Sequence, residues 1–189
     1  MNTLRFFILI AIGPIAICGN FEFNNVRCLV RDRLFLDFDY CYLRSVNRTY
    51  KYLSLKTKLH KLPITNTVVR GIFHTSQARN FRSLQTNAQV RMRENKRILY
   101  NFDVRFDACK FLRDRSNVIV NWLFQTFADF SNINHTCPYH HDIILDKLPV
   151  QHINNIIQTV VPDGRYYLNT TWFVDGIPRA DVMIYFTKS

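Results

Sequence analysis

The chain has 189 residues, enough for one domain with a substantial core and too few for two comfortable ones. Hydrophobic residues make up 48% and aromatics 14%, with 16 Phe and 9 Tyr, a composition that excludes a disordered chain. A formal net charge of +11 and a pI near 9.7 permit nucleic acid, anionic lipid or acidic glycan as a partner and select none of them.

The first segment reads as a signal peptide. Arg5 supplies the positive n-region, Phe6 to Ile12 is an unbroken apolar run, and Ala11 to Gly19 is small and apolar around Pro14. The run is too short to cross ~30 Å of hydrocarbon, and Pro14 interrupts it. Residues 1–19 are therefore expected to be a leader, cleaved near Cys18 to Asn20, ahead of a single domain over 20–189. The mature protein is expected to be secreted.

Cysteine usage agrees with that compartment. Loss of Cys18 leaves Cys28, Cys41, Cys109 and Cys137, an even set suited to two disulfides. Of the three possible connectivities, Cys28–Cys41 with Cys109–Cys137 closes two local loops. Each would stabilise the fold by roughly 3 kcal/mol in the chain-entropy model. Three sequons point the same way, at Asn47, Asn134 and Asn169.

Much of the chain alternates with period two. Phe21 to Cys28 predicts a first strand. Leu34 to Leu43 predicts a second, with Leu34, Leu36, Phe38 and Tyr40 on one face. Tyr50 to Leu59 follows, ended by Pro63, then a weaker strand from Thr67 to His74 with a bulge at Gly71. Arg79 to Arg97 is rich in charge and reads as a water-facing strand edge or a long loop. Tyr100 to Ala108 alternates strictly.

Ser116 to Phe130 breaks the pattern. Ile119, Trp122, Leu123, Phe127 and Phe130 recur at three and four, which predicts one amphipathic helix capped by Asp114 or Ser116. Gln151 to Thr159 predicts a short second helix. The end reads as a hairpin turning at Asp175-Gly176, with Tyr166, Leu168, Thr170, Trp172 and Val174 on one face and Ala180, Val182, Ile184 and Phe186 inward on the last strand. The whole predicts a mainly β, immunoglobulin-like antiparallel sandwich with one amphipathic helix inserted near 116–130.

The common catalytic signatures are missing: there is no Gly-x-Ser-x-Gly elbow, no His-Glu-x-x-His, no phosphate-cradling loop and no dinucleotide fingerprint. Binding is expected rather than catalysis, with no cofactor. His135, His140, His141, Cys137 and Asp142 lie close enough in sequence to suggest zinc. Cys137 is better used in a disulfide, and His140 and His141 would point to opposite faces of a strand, so a polar turn is the preferred reading and no metal is expected.

Two basic stripes stand out. Arg91, Arg93, Lys96 and Arg97 form one; Lys56, Lys58, His60 and Lys61 form the other. Neither carries the aromatic platforms or groove-entering element that nucleic acid needs, so nucleic acid is not an expected partner. They read first as a solvated basic face, with an anionic membrane surface or a receptor as the functional alternative. The aromatic surplus either packs a filled core or lines an apolar ligand cavity, for which the candidates are Phe102, Phe106, Phe111, Trp122, Phe124, Phe127, Phe130, Trp172 and Phe186. Phe124 falls off the main helical stripe.

Three blocks carry a family resemblance: Cys41-Tyr42-Leu43-Arg44-Ser45-Val46-Asn47-Arg48-Thr49-Tyr50-Lys51-Tyr52, Asp107-Ala108-Cys109-Lys110-Phe111-Leu112 and Asn132-Ile133-Asn134-His135-Thr136-Cys137-Pro138-Tyr139. They closely resemble motifs of a large secreted insect family of unknown function, related to the CheB-type chemosensory proteins of flies. More distantly, Cys137-Pro138-Tyr139, Pro162-Asp163-Gly164-Arg165-Tyr166 and the final hairpin resemble the ML lipid-recognition superfamily, which includes the ganglioside-activator protein. That resemblance implies a sandwich that opens to hold a lipid or small hydrophobic ligand between its sheets, and it supplies no catalytic residues. The chain departs from it in the basic stretch Arg79 to Arg97. The alternative expectation is an extracellular protein–protein interaction domain with a filled core and no small-molecule ligand.

Overall fold

The computed structural model describes residues 20–48, 50–75, 101–157, 161 and 163–189. Strands β1 (Phe21–Val30), β2 (Leu36–Ser45), β3 (Lys51–Leu59), β4 (Val68–Thr75) and β5 (Asn101–Asp107) come first in the chain. Helices α1 (Ala108–Asp114) and α2 (Val118–Gln125) follow, with a 3-10 turn at Ala128–Phe130. Then come β6 (Ile144–Pro149), α3 (Val150–Ile157), β7 (Gly164–Val174) and β8 (Ile177–Lys188). The strands form two antiparallel sheets, one ordered β1-β8-β7-β4-β5 and one ordered β2-β3-β6. The protein is a β-sandwich.

The hairpin β7–β8 forms where the sequence predicts it. Asp175 and Gly176 both take positive φ, 55° and 75°, as a two-residue turn matched to strand twist requires. Behind it the inner face of the large sheet carries an aromatic ladder. Phe73 stacks on Tyr166 at 5.1 Å, Tyr166 on Phe186 at 5.2 Å, and Phe21 reaches Phe186 at 5.0 Å. Leu53, Leu145 and Leu148 of the small sheet and Ile153 and Ile157 of α3 complete this buried cluster. Full burial of each Phe or Leu side chain contributes about 1.5–3 kcal/mol. A second cluster, Phe35, Leu36, Ile64, Tyr139, Val174 and Ala180, fills the other end.

Both predicted disulfides form. Cys28–Cys41 joins β1 of the large sheet to β2 of the small one, and Cys109–Cys137 ties the start of α1 to the loop before β6.

Local details correct three sequence expectations and add two elements, α1 and β6, that the sequence did not predict. The face of β2 does not run unbroken from Leu34 to Tyr40: a bulge between Phe38 and Tyr40 shifts the phase, placing Cys41 and Leu43 opposite Leu55 and Leu53 and leaving Tyr40 with Tyr42 on the other side. No bulge occurs at Gly71, whose register against β5 and β7 is continuous. The single helix over 116–130 is instead α2 and a 3-10 turn, capped by Asn117, whose side chain accepts from Val120 N at 3.0 Å. Before it, α1 is capped by Asp107 and ends where Arg115 turns left-handed at φ 51°. Finally, β6 carries no period-two signal. Lys147 takes φ 48° and donates its backbone N–H to Ser54 Oγ, so Leu145 and Leu148 turn inward at a spacing of three. The expected Gln151–Thr159 helix is α3, and the stretch Arg79 to Arg97 lies outside the described residues.

Candidate functional site

Between the two clusters, the inner face of the large sheet is built from small side chains. Register places Val104 of β5, Gly71 of β4, Thr170 of β7 and Val182 of β8 in one row across the strands. Alternation puts Gly71 on the same face as buried Val69 and Phe73. Among the described residues, a Cβ built at Gly71 meets no atom within 4 Å, so no described side chain fills the space above it. Val104, Thr170, Leu168 and Trp172 are only half-buried, although they share the face of the fully buried Val69, Phe73 and Tyr166.

The polar atoms in this row are already engaged. Thr170 Oγ1 donates to Val182 O at 3.2 Å and accepts from Trp172 Nε1 at 3.1 Å. With its hydroxyl and the indole N–H paired to each other, the surface presents methyl groups, methylenes and ring edges. Such a wall suits an apolar ligand and offers no nucleophile or acid–base pair.

The helical segment borders this row. Phe106 of β5 meets Phe111 of α1 edge-on at 5.7 Å, Phe111 meets Phe124 of α2 at 5.7 Å, and Phe124 meets Phe127 at 5.3 Å. Trp122, Phe127 and Phe130 pack, partly buried, against the first core cluster. Phe124 points elsewhere: the Arg115 guanidinium sits 4.1 Å above its ring and 5.2 Å above that of Phe111. Its position off the helical stripe reflects this cation–π contact.

The nine aromatic residues expected to line a cavity therefore divide. Phe106 and Trp172 lie on the sheet beside the open row, and Trp122, Phe127 and Phe130 pack against the first cluster. Phe111 is buried within the ring chain, Phe124 is covered by Arg115, and Phe186 is sealed inside the first cluster. The side chain of Phe102 lies outside the described residues. Gly71, Val104, Leu168 and Thr170 were not among the cavity residues expected from the sequence. The available signal was Gly71, a glycine inside a strand with no bulge to explain it.

The histidine-rich loop comes together in part. His135 Nε2 and His141 Nε2 are 3.1 Å apart, and His135 stacks on Tyr139 at 4.3 Å. His140 is exposed, and Cys137 is consumed by its disulfide. Among the described residues, no group of three or more His, Cys, Asp or Glu is placed to hold a metal.

The stripe on β3 is partly neutralised. Lys56 Nζ lies 2.7 Å from Asp39, and His60 Nε2 lies 3.3 Å from Asp37. The Lys56 hydrogen bond holds the Asp39 carboxyl below the usual range and raises the ammonium in return. Lys58 and Lys61 are exposed; Arg91, Arg93, Lys96 and Arg97 lie outside the described residues. A separate polar recess of ≈ 290 Å³ lies at the strand ends, lined by Asp163, Gly164, Arg165, Thr187, Lys188 and Ser189. Asn47 and Asn134 are exposed in loops, and Asn169 is half-buried on the outer face of β7. Among the described residues, no helix is long and apolar enough to cross a membrane.

Residues 86–168 match the family model described as a protein of unknown function, DUF1091. The DUF1091 match spans β5, both helices, β6, α3 and the first residues of β7. It therefore contains Val104, Phe106, the aromatic chain beside the open row, and both cysteines of the second disulfide. No curated protein matches the chain.

Proposed function

We propose that this is a secreted binding protein that holds a lipid or other small hydrophobic ligand between its sheets and performs no catalysis. The observation that supports the reading is the space above Gly71 that no described side chain fills, although Val69 and Phe73 on either side of it in β4 are buried. An interior wall left half-exposed to water is costly, at about 25 cal/mol for each Å² of apolar surface. A ligand that covers Leu168, Thr170, Trp172 and Phe106 recovers that free energy, and the paired polar atoms leave little reason for a charged one. The resemblance to the ML superfamily and to CheB-type chemosensory proteins agrees with this reading, as does the pair of disulfides with a secreted location.

The test is extraction of the secreted protein with organic solvent, followed by mass spectrometry of the extract. A lipid or hydrophobic small molecule at near one equivalent is expected. An empty protein that also excludes hydrophobic fluorescent probes would instead favour an interaction domain with a filled core.

A further inference from the structure

We propose that Asn169 carries an N-linked glycan whose first sugar packs on an aromatic platform built by the outer face of the large sheet. Register aligns His74 of β4, Tyr167 of β7 and Tyr185 of β8 directly across neighbouring strands. The rings form one band: His74 and Tyr167 are nearly parallel, 10° apart with centroids at 6.1 Å, and Tyr167 lies 4.9 Å from Tyr185. Outer faces of sandwiches are ordinarily polar, so the adjacent, half-buried Tyr167 and Tyr185 rings form a surface suited to a partner such as a sugar.

The partner is supplied two residues along the same strand. Period two puts Tyr167, Asn169 and Thr171 on one face, and Asn169-Thr170-Thr171 is a sequon. Asn169 follows Tyr167 by about 7 Å of strand, within reach of a pyranose ring attached to its side chain. The Asn169 Oδ1 is buried without a hydrogen-bond partner. Thr171, whose hydroxyl the transfer reaction requires, lies half-buried on the same face.

In the reaction, Asn169 Nδ2 forms a bond to C1 of N-acetylglucosamine, loses one proton, and displaces the diphosphate of a polyprenyl-diphosphate-linked oligosaccharide. The axial C–H groups of that first sugar then lie on the faces of Tyr167 and Tyr185. The platform is independent of the inner-face ligand, because strand alternation places the two on opposite sides of the sheet.

The experiment is expression of the mature chain behind a heterologous leader in a eukaryotic secretory host. Peptide mass spectrometry after peptide N-glycosidase F in heavy-oxygen water should show Asn169 occupied. Removing the whole glycan should lower Tm by about 2–4 °C, whereas endoglycosidase H, which leaves the first sugar, should not. Tyr167→Ala should abolish that difference and Tyr167→Phe should retain it; Tyr185→Ala serves if the first variant fails to fold. An unmodified Asn169 overturns the proposal. So does a glycan whose removal shifts Tm equally with and without the Tyr167 ring.

Discussion

Cys28 and Cys41 lie on the facing inner surfaces of two different sheets, with Cα atoms 6.2 Å apart. Packed sheets ordinarily stand ~10 Å apart. The disulfide thus pinches the sandwich at the β1–β2 edge. Three strands across the large sheet from β1, Gly71 of β4 has no described side chain above it.

Removing the pinch should be costly. Cys28→Ser is expected to destabilise the protein by about 2–5 kcal/mol, as loss of a native disulfide in a small secreted domain does. Cys109→Ser should do the same. Urea unfolding without reductant would measure both; midpoints unchanged from the parent would show that the loops are held by packing alone.

Filling the space above Gly71 separates ligand binding from folding. The backbone there is ordinary extended strand, and among the described residues nothing stands within 4 Å of an added Cβ. Gly71→Leu should leave Tm unchanged or raise it, because Gly is a poor strand former. The same variant should lose bound hydrophobic material on extraction. A variant that keeps its full complement of ligand would place the binding site elsewhere.

Two aromatic residues of the same expected set should behave differently. Phe186 is sealed within the first cluster, so Phe186→Ala should cost about 3–5 kcal/mol. Phe106 is half-buried beside the open row, so Phe106→Ala should cost less and weaken uptake of a hydrophobic probe. Equal losses of stability in denaturant titrations would argue for a continuously packed interior.

Acid should weaken a contact between β4 and β5. Arg70 donates to Asp103 from Nε at 3.0 Å, and this pairing holds the Asp103 carboxyl below its ordinary 3.8. A depressed carboxyl stabilises the fold above its unfolded pKa, and that contribution is lost as pH falls through the lower folded value. Stability should therefore drop below about pH 4, modestly because the pair is exposed and screened by salt. Asp103→Asn should flatten that part of the pH profile in thermal melts and leave the neutral-pH Tm nearly unchanged.

Legibility followed local patterning. The hairpin β7–β8 was readable because Asp175-Gly176 suits a two-residue turn and the flanking residues alternate without interruption. β6 was not, because Lys147 and the contact with Ser54 replace alternation by a spacing of three. Helix α1 went unread because its seven residues bury only Phe111, too few apolar positions for a helical period to show. Within the site, the sequence pointed to large aromatics, whereas the open row depends on small residues.

Composition, cysteine parity and period-two alternation determined a disulfide-bonded sandwich, because burial and strand pairing act through nearest neighbours and leave their mark residue by residue. Whether that sandwich is filled was decided only in three dimensions. Gly71, Val104, Thr170 and Val182 come from four strands, and no one of them reports a gap until register sets them side by side. Free volume belongs to the arrangement of side chains and not to any segment of the chain.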